Sequence, residues 1–207
     1  VEMIQTRGMS PTFDRDPRKS KPRFIAFAVP FGWILKPEEF EKGLDVAVSN
    51  IKRIPPSSID STIKNYHWLD LVTGMFDAYD RGHHTAILTD EENNVLEGPG
   101  FNIFSVEEID LSTPDRGVLE GITRQTVLDL AKELNLPFNL KPLSLQKLKS
   151  STEVFATSTA GGIMPITKIN GQQIGTGVPG NITRQLHKVY WDKHTDPNWS
   201  SAVEDLL

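Results

Sequence analysis

Apolar positions recur at Trp68, Leu69, Val72, Phe76 and Tyr79, just after the Pro/Ser-rich connection Pro55-Pro56-Ser57-Ser58. Residues three and four apart share a helix face, so the pattern predicts a helix over Ile63 to Asp80 with those side chains inward. Lys64 stands at its entrance. A lysine beside a packed face loses hydration, which lowers its pKa and makes it an amine nucleophile suited to Schiff-base chemistry. The alternative is an ordinary solvated lysine near a helix start.

Before that helix, Val1 to Thr6 and Phe24 to Leu35 read as strands rich in Ile, Val and Phe. The polar segment Gly8 to Pro22 between them carries Arg15, Arg18, Lys19 and Lys21, with Arg23 just after it. It reads as a solvated loop; the alternative is a mobile loop holding a cation over a substrate carboxylate. Two strands make no independent core, so they are expected to be the edge of a first domain. Lys36-Pro37-Glu38-Glu39 marks a connection, and Gly43 to Ile51 a strand opening a second domain.

Further on, Ala86 to Leu88, Val95 to Leu96 and Phe101 to Val106 read as strands, the first two flanking a turn at Asp90 to Asn94. Gly121-Ile122-Thr123 leads into a stripe of Val127, Leu130, Ala131 and Leu134, a second helix. A helix starting after glycine offers free N–H groups and a positive dipole end, so its mouth suits a phosphate; equally, Thr123 or Thr126 is a plain N-cap. Leu145 to Lys149 suggests a short helix and Val154 to Thr157 a buried strand. That strand runs into the hydroxyl-rich turn Thr157 to Gly162, whose glycines permit close approach of backbone to an anion. Asn170-Gly171 signals a hairpin, Asn181 to Trp191 a last helix with Ile182, Leu186, Val189 and Tyr190 inward, and Thr195 to Leu207 a less ordered tail.

Composition narrows the choices. A chain of 207 residues with 38% hydrophobic and 24% charged residues suits a folded protein with one substantial core. Its net charge of −5 supplies no footprint for nucleic acid, and no stretch reaches the length of a membrane span. With no cysteine there is no disulfide, thiolate nucleophile or sulfur-ligated zinc, and the five histidines show no metal-ligand spacing beyond the adjacent His83-His84, which reads as a polar turn. No secretory signal is visible. Val1-Glu2-Met3 reads as mid-strand, so a preceding N-terminal portion is expected.

Four runs coincide in order and spacing: Lys64 to Trp68, Leu96-Glu97-Gly98-Pro99-Gly100-Phe101-Asn102, Thr113 to Arg124, and Ser158 to Pro165. Together they resemble the class IV pyridoxal-phosphate aminotransferases, with Lys64-Asn65-x-x-Trp68 and Thr159 to Pro165 most similar to the (R)-selective amine transaminases. The resemblance implies an α/β fold of α+β type, with residues 1–36 the last strands of a small N-terminal domain and residues 37–207 the large cofactor domain. It implies pyridoxal 5′-phosphate as cofactor, Lys64 as the Schiff-base lysine and proton shuttle, and Glu97 as partner of the pyridine nitrogen. Ile122 and Thr123 with Ser158 and Thr159 would hold the phosphate. Glu2, Trp68 and Ala160 fall on the substrate pocket, while Arg116 and Arg124 read as surface or structural salt-bridge residues. The implied enzyme is a cytoplasmic homodimer passing an amino group from an (R)-amine or amino acid to a keto acid such as pyruvate. Branched-chain or D-amino-acid transamination, an aminodeoxychorismate lyase-like reaction and an inactive cofactor-binding remnant are the alternatives. Leu69 stands where branched-chain enzymes place a tyrosine, Pro99 where a small residue is usual, and an arginine the family supplies from its small domain has no counterpart in this chain.

Overall fold

The computed structural model describes residues 1–202, arranged in two compact units, Val1–Gly32 and the described residues from Trp33 onward. In the first, β1 (Glu2–Met9) pairs antiparallel with β2 (Lys21–Phe27), and the register shifts between Thr6 and Met9, around Gly8. The second strand was expected to reach Leu35 but ends at Phe27. Pro30 offers no N–H to a ladder, and Gly32 has no side chain to pack. Within the charged connection Arg18 pairs with Asp16 and Lys19 with Asp14, as a solvated loop would.

The second unit runs β3 (Leu44–Lys52), α1 (Leu69–Asp80), β4 (Thr85–Thr89), β5 (Asn94–Val95), β6 (Glu97–Gly98), β7 (Phe101–Glu107) and β8 (Asp110–Thr113). It continues with α2 (Ile122–Glu133), β9 (Phe138–Leu140), β10 (Leu143–Ser144), α3 (Leu145–Ser150), β11 (Glu153–Ser158), β12 (Gly162–Ile169), β13 (Gln172–Gln173) and α4 (Asn181–Asp192). Its eleven strands form one sheet in the order β10-β5-β4-β3-β12-β11-β7-β8-β9, with β13 on β12 and β6 on β7. β3 lies parallel to both β4 and β12, so α1 is the crossover of a βαβ unit. This is a mixed α/β fold, the class that the sequence implies.

Both faces of the central strands are covered, and β7 is buried without interruption from Phe101 to Val106. Phe101 and Ile103 join one core cluster with Val46, Ile87 and Met164; Phe104 joins another with Val127, Leu130 and Leu186 and stacks on Phe155, ring centroids 5.0 Å apart. The hairpin at Asn170-Gly171 forms with positive φ at both residues, 52° and 74°. No helix is long and apolar enough to cross a membrane among the described residues.

Two expectations fail at α1. It begins at Leu69 rather than Ile63, and its inward residues are Asp70, Leu71, Gly74 and Ala78. Leu69, Phe76 and Tyr79 are exposed. The small residues decide the face: a Cβ on Gly74 would lie 2.9 Å from Leu88 Cδ1, so only a helix without bulk there lies this close to the sheet. In the tail, Lys193–Thr195 form a short 3-10 turn and Lys193 Nζ lies 4.9 Å from the Trp199 ring centroid; residues 203–207 of the expected less ordered tail lie outside the described residues.

Candidate active site

Lys64 sits in a turn, not on a helix, because side chains there compete for the backbone. Asp60 Oδ1 accepts from the Thr62 N–H at 3.0 Å, and Asn65 donates to the Ile63 carbonyl at 2.7 Å while accepting from the His67 N–H at 2.8 Å. Such local bonds disfavour a helix. The Asn65 amide thereby clasps the chain on both sides of Lys64. Contrary to the packed position expected from periodicity, Lys64 is exposed, and no hydrogen bond or ion pair engages its ammonium among the described residues. It lines a cleft of about 340 Å³ shared with Glu97, Asn102, Thr123 and Thr159.

Glu97 and Asn102 are cross-strand neighbours on the β6–β7 hairpin, both buried. Glu97 Oε2 accepts the Leu119 N–H at 2.9 Å, and Asn102 Nδ2 donates to the Leu119 carbonyl at 2.8 Å. One hairpin therefore grips both polar groups of the residue two positions before Gly121, the N-cap of α2. Burial pushes the Glu97 carboxyl above the usual carboxylate range, although the Leu119 N–H and Arg53 pull it down.

Two residues at this site escaped the sequence reading. Arg53 donates to Glu97 Oε1 through Nε at 3.1 Å and Nη2 at 3.0 Å, and its Nη1 reaches Asp70 Oδ2 at 2.6 Å. Asp70 also accepts the Ile54 N–H at 2.8 Å. Burial works against the Arg53 charge, yet Asp70 and Glu97 outweigh it and hold the guanidinium above its ordinary value. In the sequence Arg53 is one of two adjacent cations, 44 residues from Glu97; the one available signal was Asp70, a carboxylate between two leucines.

The mouth of α2 is open. Gln125 N–H closes the first helical turn onto Gly121, while the N–H groups of Ile122 and Thr123 have no acceptor among the described residues and border the cleft. By contrast, at α4 the Glu153 carboxylate takes the N–H groups of Ile182 at 3.1 Å and Thr183 at 2.8 Å. Burial raises the pKa of the Tyr190 hydroxyl, and the Thr123 side chain beside it pulls the other way. Ser158 Oγ accepts from the Ala160 N–H at 3.1 Å, and Thr159 is exposed at the rim. Thr157 Oγ1, in the cleft wall, is buried with no hydrogen-bond partner among the described residues.

Trp68, the N-cap of α1, is half-buried at the cleft and packs against the core under that helix. Ala160 is not among the residues lining the cleft; its carbonyl accepts from the Ile34 N–H at 2.9 Å. Glu2 is exposed on β1, opposite Phe27 in the first unit. Arg116 is exposed. Arg124 makes no salt bridge among the described residues: it is buried, donates to the Pro114 carbonyl at 2.9 Å, and burial lowers its pKa.

Residues 3–169 match the class IV amino-transferase family. The putative branched-chain-amino-acid aminotransferase of Methanocaldococcus jannaschii is 33% identical over 208 residues, 99% of this chain and 70% of that protein. The branched-chain aminotransferase of Thermoproteus uzoniensis, solved with norvaline, superposes with a TM-score of 0.82 at 31% identity over 91% of this chain and 63% of that one. The branched-chain amino acid aminotransferase of Thermobaculum terrenum, solved in its PLP-bound holo form, gives a TM-score of 0.72 at 31% identity, covering 76% of this chain and 53% of that one. The chain thus spans less than two thirds of each of these solved relatives. A family match over most of the chain, joined to a lysine, a buried carboxylate and an open helix mouth on one cleft, establishes that this chain belongs to the class IV aminotransferases.

Proposed function

We propose that this cleft binds pyridoxal 5′-phosphate through Lys64, Glu97, Ile122, Thr123, Ser158 and Thr159, and that the protein moves an amino group from an (R)-amine or amino acid to a keto acid such as pyruvate. The observation that carries the reading is the polar set on one cleft that is unfilled among the described residues: a lysine without a partner, the open start of α2 and the orphaned Thr157 hydroxyl. These fit an aldehyde, a phosphate and a further acceptor. When bound, the cofactor supplies a ring that accepts the electrons left on breaking a carbon–hydrogen bond beside an amine.

The chain's own residues would do the rest. Lys64 Nζ, without a partner among the described residues, would hold the cofactor by condensing with its aldehyde with loss of water and, once freed by a donor amine, would carry a proton from the donor carbon to the former aldehyde carbon. Glu97 holds negative charge against the ring nitrogen. The first N–H groups of α2 bind and orient the phosphate.

The (R)-amine reading is supported by the resemblance at Lys64 to Trp68 and by Leu69 in place of a tyrosine; the branched-chain reading by the names of the relatives. The test adds pyridoxal 5′-phosphate to the protein, reduces a portion with borohydride and maps the labelled peptide, which is expected to contain Lys64. Loss of the absorbance band on adding (R)-1-phenylethylamine but not L-leucine supports an amine donor; the reverse result overturns it in favour of branched-chain amino acids. A second measurement concerns Thr157→Val. Removing an unpaired buried hydroxyl is expected to raise the stability of the cofactor-free protein by about 1 kcal/mol and to weaken cofactor binding, read by thermal melting and titration. Binding unchanged would exclude Thr157 from the site.

A further inference from the structure

We infer that Arg53 and Asp70 are positioning residues for the reaction: together they aim the Glu97 carboxylate into the cleft and give the buried cluster the net negative charge that favours a protonated ring nitrogen beside it. The inference rests on the reading of Glu97 as the ring-nitrogen partner.

A carboxylate has about four acceptor sites. Arg53 Nε and Nη2 both donate to Glu97 Oε1, and Leu119 N–H donates to Oε2, which leaves acceptor capacity on the edge of Glu97 that lines the cleft. The guanidinium is rigid and planar, so its fork fixes the carboxylate plane as a lysine could not. Its other arm is held in turn by Asp70 at 2.6 Å, and all three side chains are at most 12% exposed.

The charges are unequal: two carboxylates face one guanidinium. Glu97 and Arg53 alone would be neutral, and a protonated ring nitrogen would then leave a buried positive excess. With Asp70 the cluster carries one net negative charge, and a cationic N–H at Glu97 balances it. An uncompensated buried charge is costly, so the excess selects what binds. Asp70 also stands six residues after Lys64, which makes Asp70–Arg53–Glu97–Leu119 a continuous hydrogen-bonded line from the lysine segment towards the mouth of α2.

The test compares affinities for pyridoxal 5′-phosphate and for its analogue with the ring nitrogen replaced by C–H, in the wild-type protein, Arg53→Gln and Asp70→Asn, from neutral to mildly acidic pH. The wild-type protein is expected to prefer the nitrogen-bearing ring, and each substitution to reduce that preference about tenfold, the factor one pK unit represents, while leaving analogue binding unchanged. The preference fades on acidification as Glu97 takes up a proton. Losing Arg53 raises the pH at which it fades, because a compensating cation is gone, and losing Asp70 lowers it, because a repelling anion is gone.

Opposite pH shifts are not the signature of a purely structural pair. If both compounds lose affinity equally and the pH of fading does not move, the inference is overturned. If the wild-type protein shows no preference, the reading of Glu97 itself fails. Thermal melting verifies folding, and where Arg53→Gln does not fold, Arg53→Lys takes its place. Its single-point donor is expected to cut the preference but not analogue binding, and an equal loss for both compounds would again overturn the inference.

Discussion

Lys64→Ala is expected to abolish the absorbance of lysine-bound cofactor and to lower amino transfer by about four orders of magnitude, the upper range for a positioned proton-transfer group. Among the described residues no other lysine lines the cleft, so none stands ready to replace it. The same change should leave the fold intact. Lys64 is exposed and engages no partner among the described residues, and surface substitutions of that kind stay within about 0.5 kcal/mol. Absorbance titration beside a thermal melt separates the two quantities; a surviving band would remove Lys64 from the chemistry. Asn65 matters here because it clasps the backbone at Ile63 and His67 without touching the ammonium, so it fixes the lysine's position and leaves its charge free.

Gly121→Ala is expected to carry the second largest effect, and by sterics alone. Gly121 has φ −62° and ψ 142°, a conformation alanine adopts readily, so no backbone strain arises. Its added methyl, however, would overlap Asn102 Oδ1. Asn102 must then swing away from the Leu119 carbonyl, losing a buried hydrogen bond at a cost of about 1–3 kcal/mol and shifting the start of α2. Affinity for pyridoxal 5′-phosphate is expected to fall about 10- to 100-fold, since each 1.4 kcal/mol is a factor of ten. Titration with the cofactor measures it, and Gly121→Ala combined with Asn102→Gly, which restores the space but not the bond, should not recover full affinity. A Gly121→Ala protein binding like wild type would mean that α2 is not placed by this contact.

How much of this was legible in the sequence depended on how local each feature was. The Gly121 start of α2 and the hydroxyl turn after β11 each lie within a few residues, and turn chemistry announced them, whereas Glu97 was legible only through the resemblance carried by the run Leu96 to Asn102. Helix α1 was legible as a helix, yet its face was misjudged. Large apolar side chains at Leu69, Phe76 and Tyr79 gave the strongest stripe, whereas Leu71, Gly74 and Ala78 face the sheet because small residues allow close approach. The sequence placed the lysine against a packed helix; competing side-chain bonds at Asp60 and Asn65 kept it in an exposed turn. Arg53 was invisible for another reason: its meaning comes from partners 17 and 44 residues away, joined through the parallel pairing of β3 with β4 that no local pattern signals.

The grip of Glu97 and Asn102 on Leu119 has a consequence for recognition. On the proposed reading, the acceptor for a ring and the donors for an anion would hang from the same two-stranded ribbon, separated by a fixed run of backbone from Leu119 to Ile122. A site so built would work as a gauge of length. A molecule with the correct head and tail but a shorter or longer span between them would satisfy one end and strand the other.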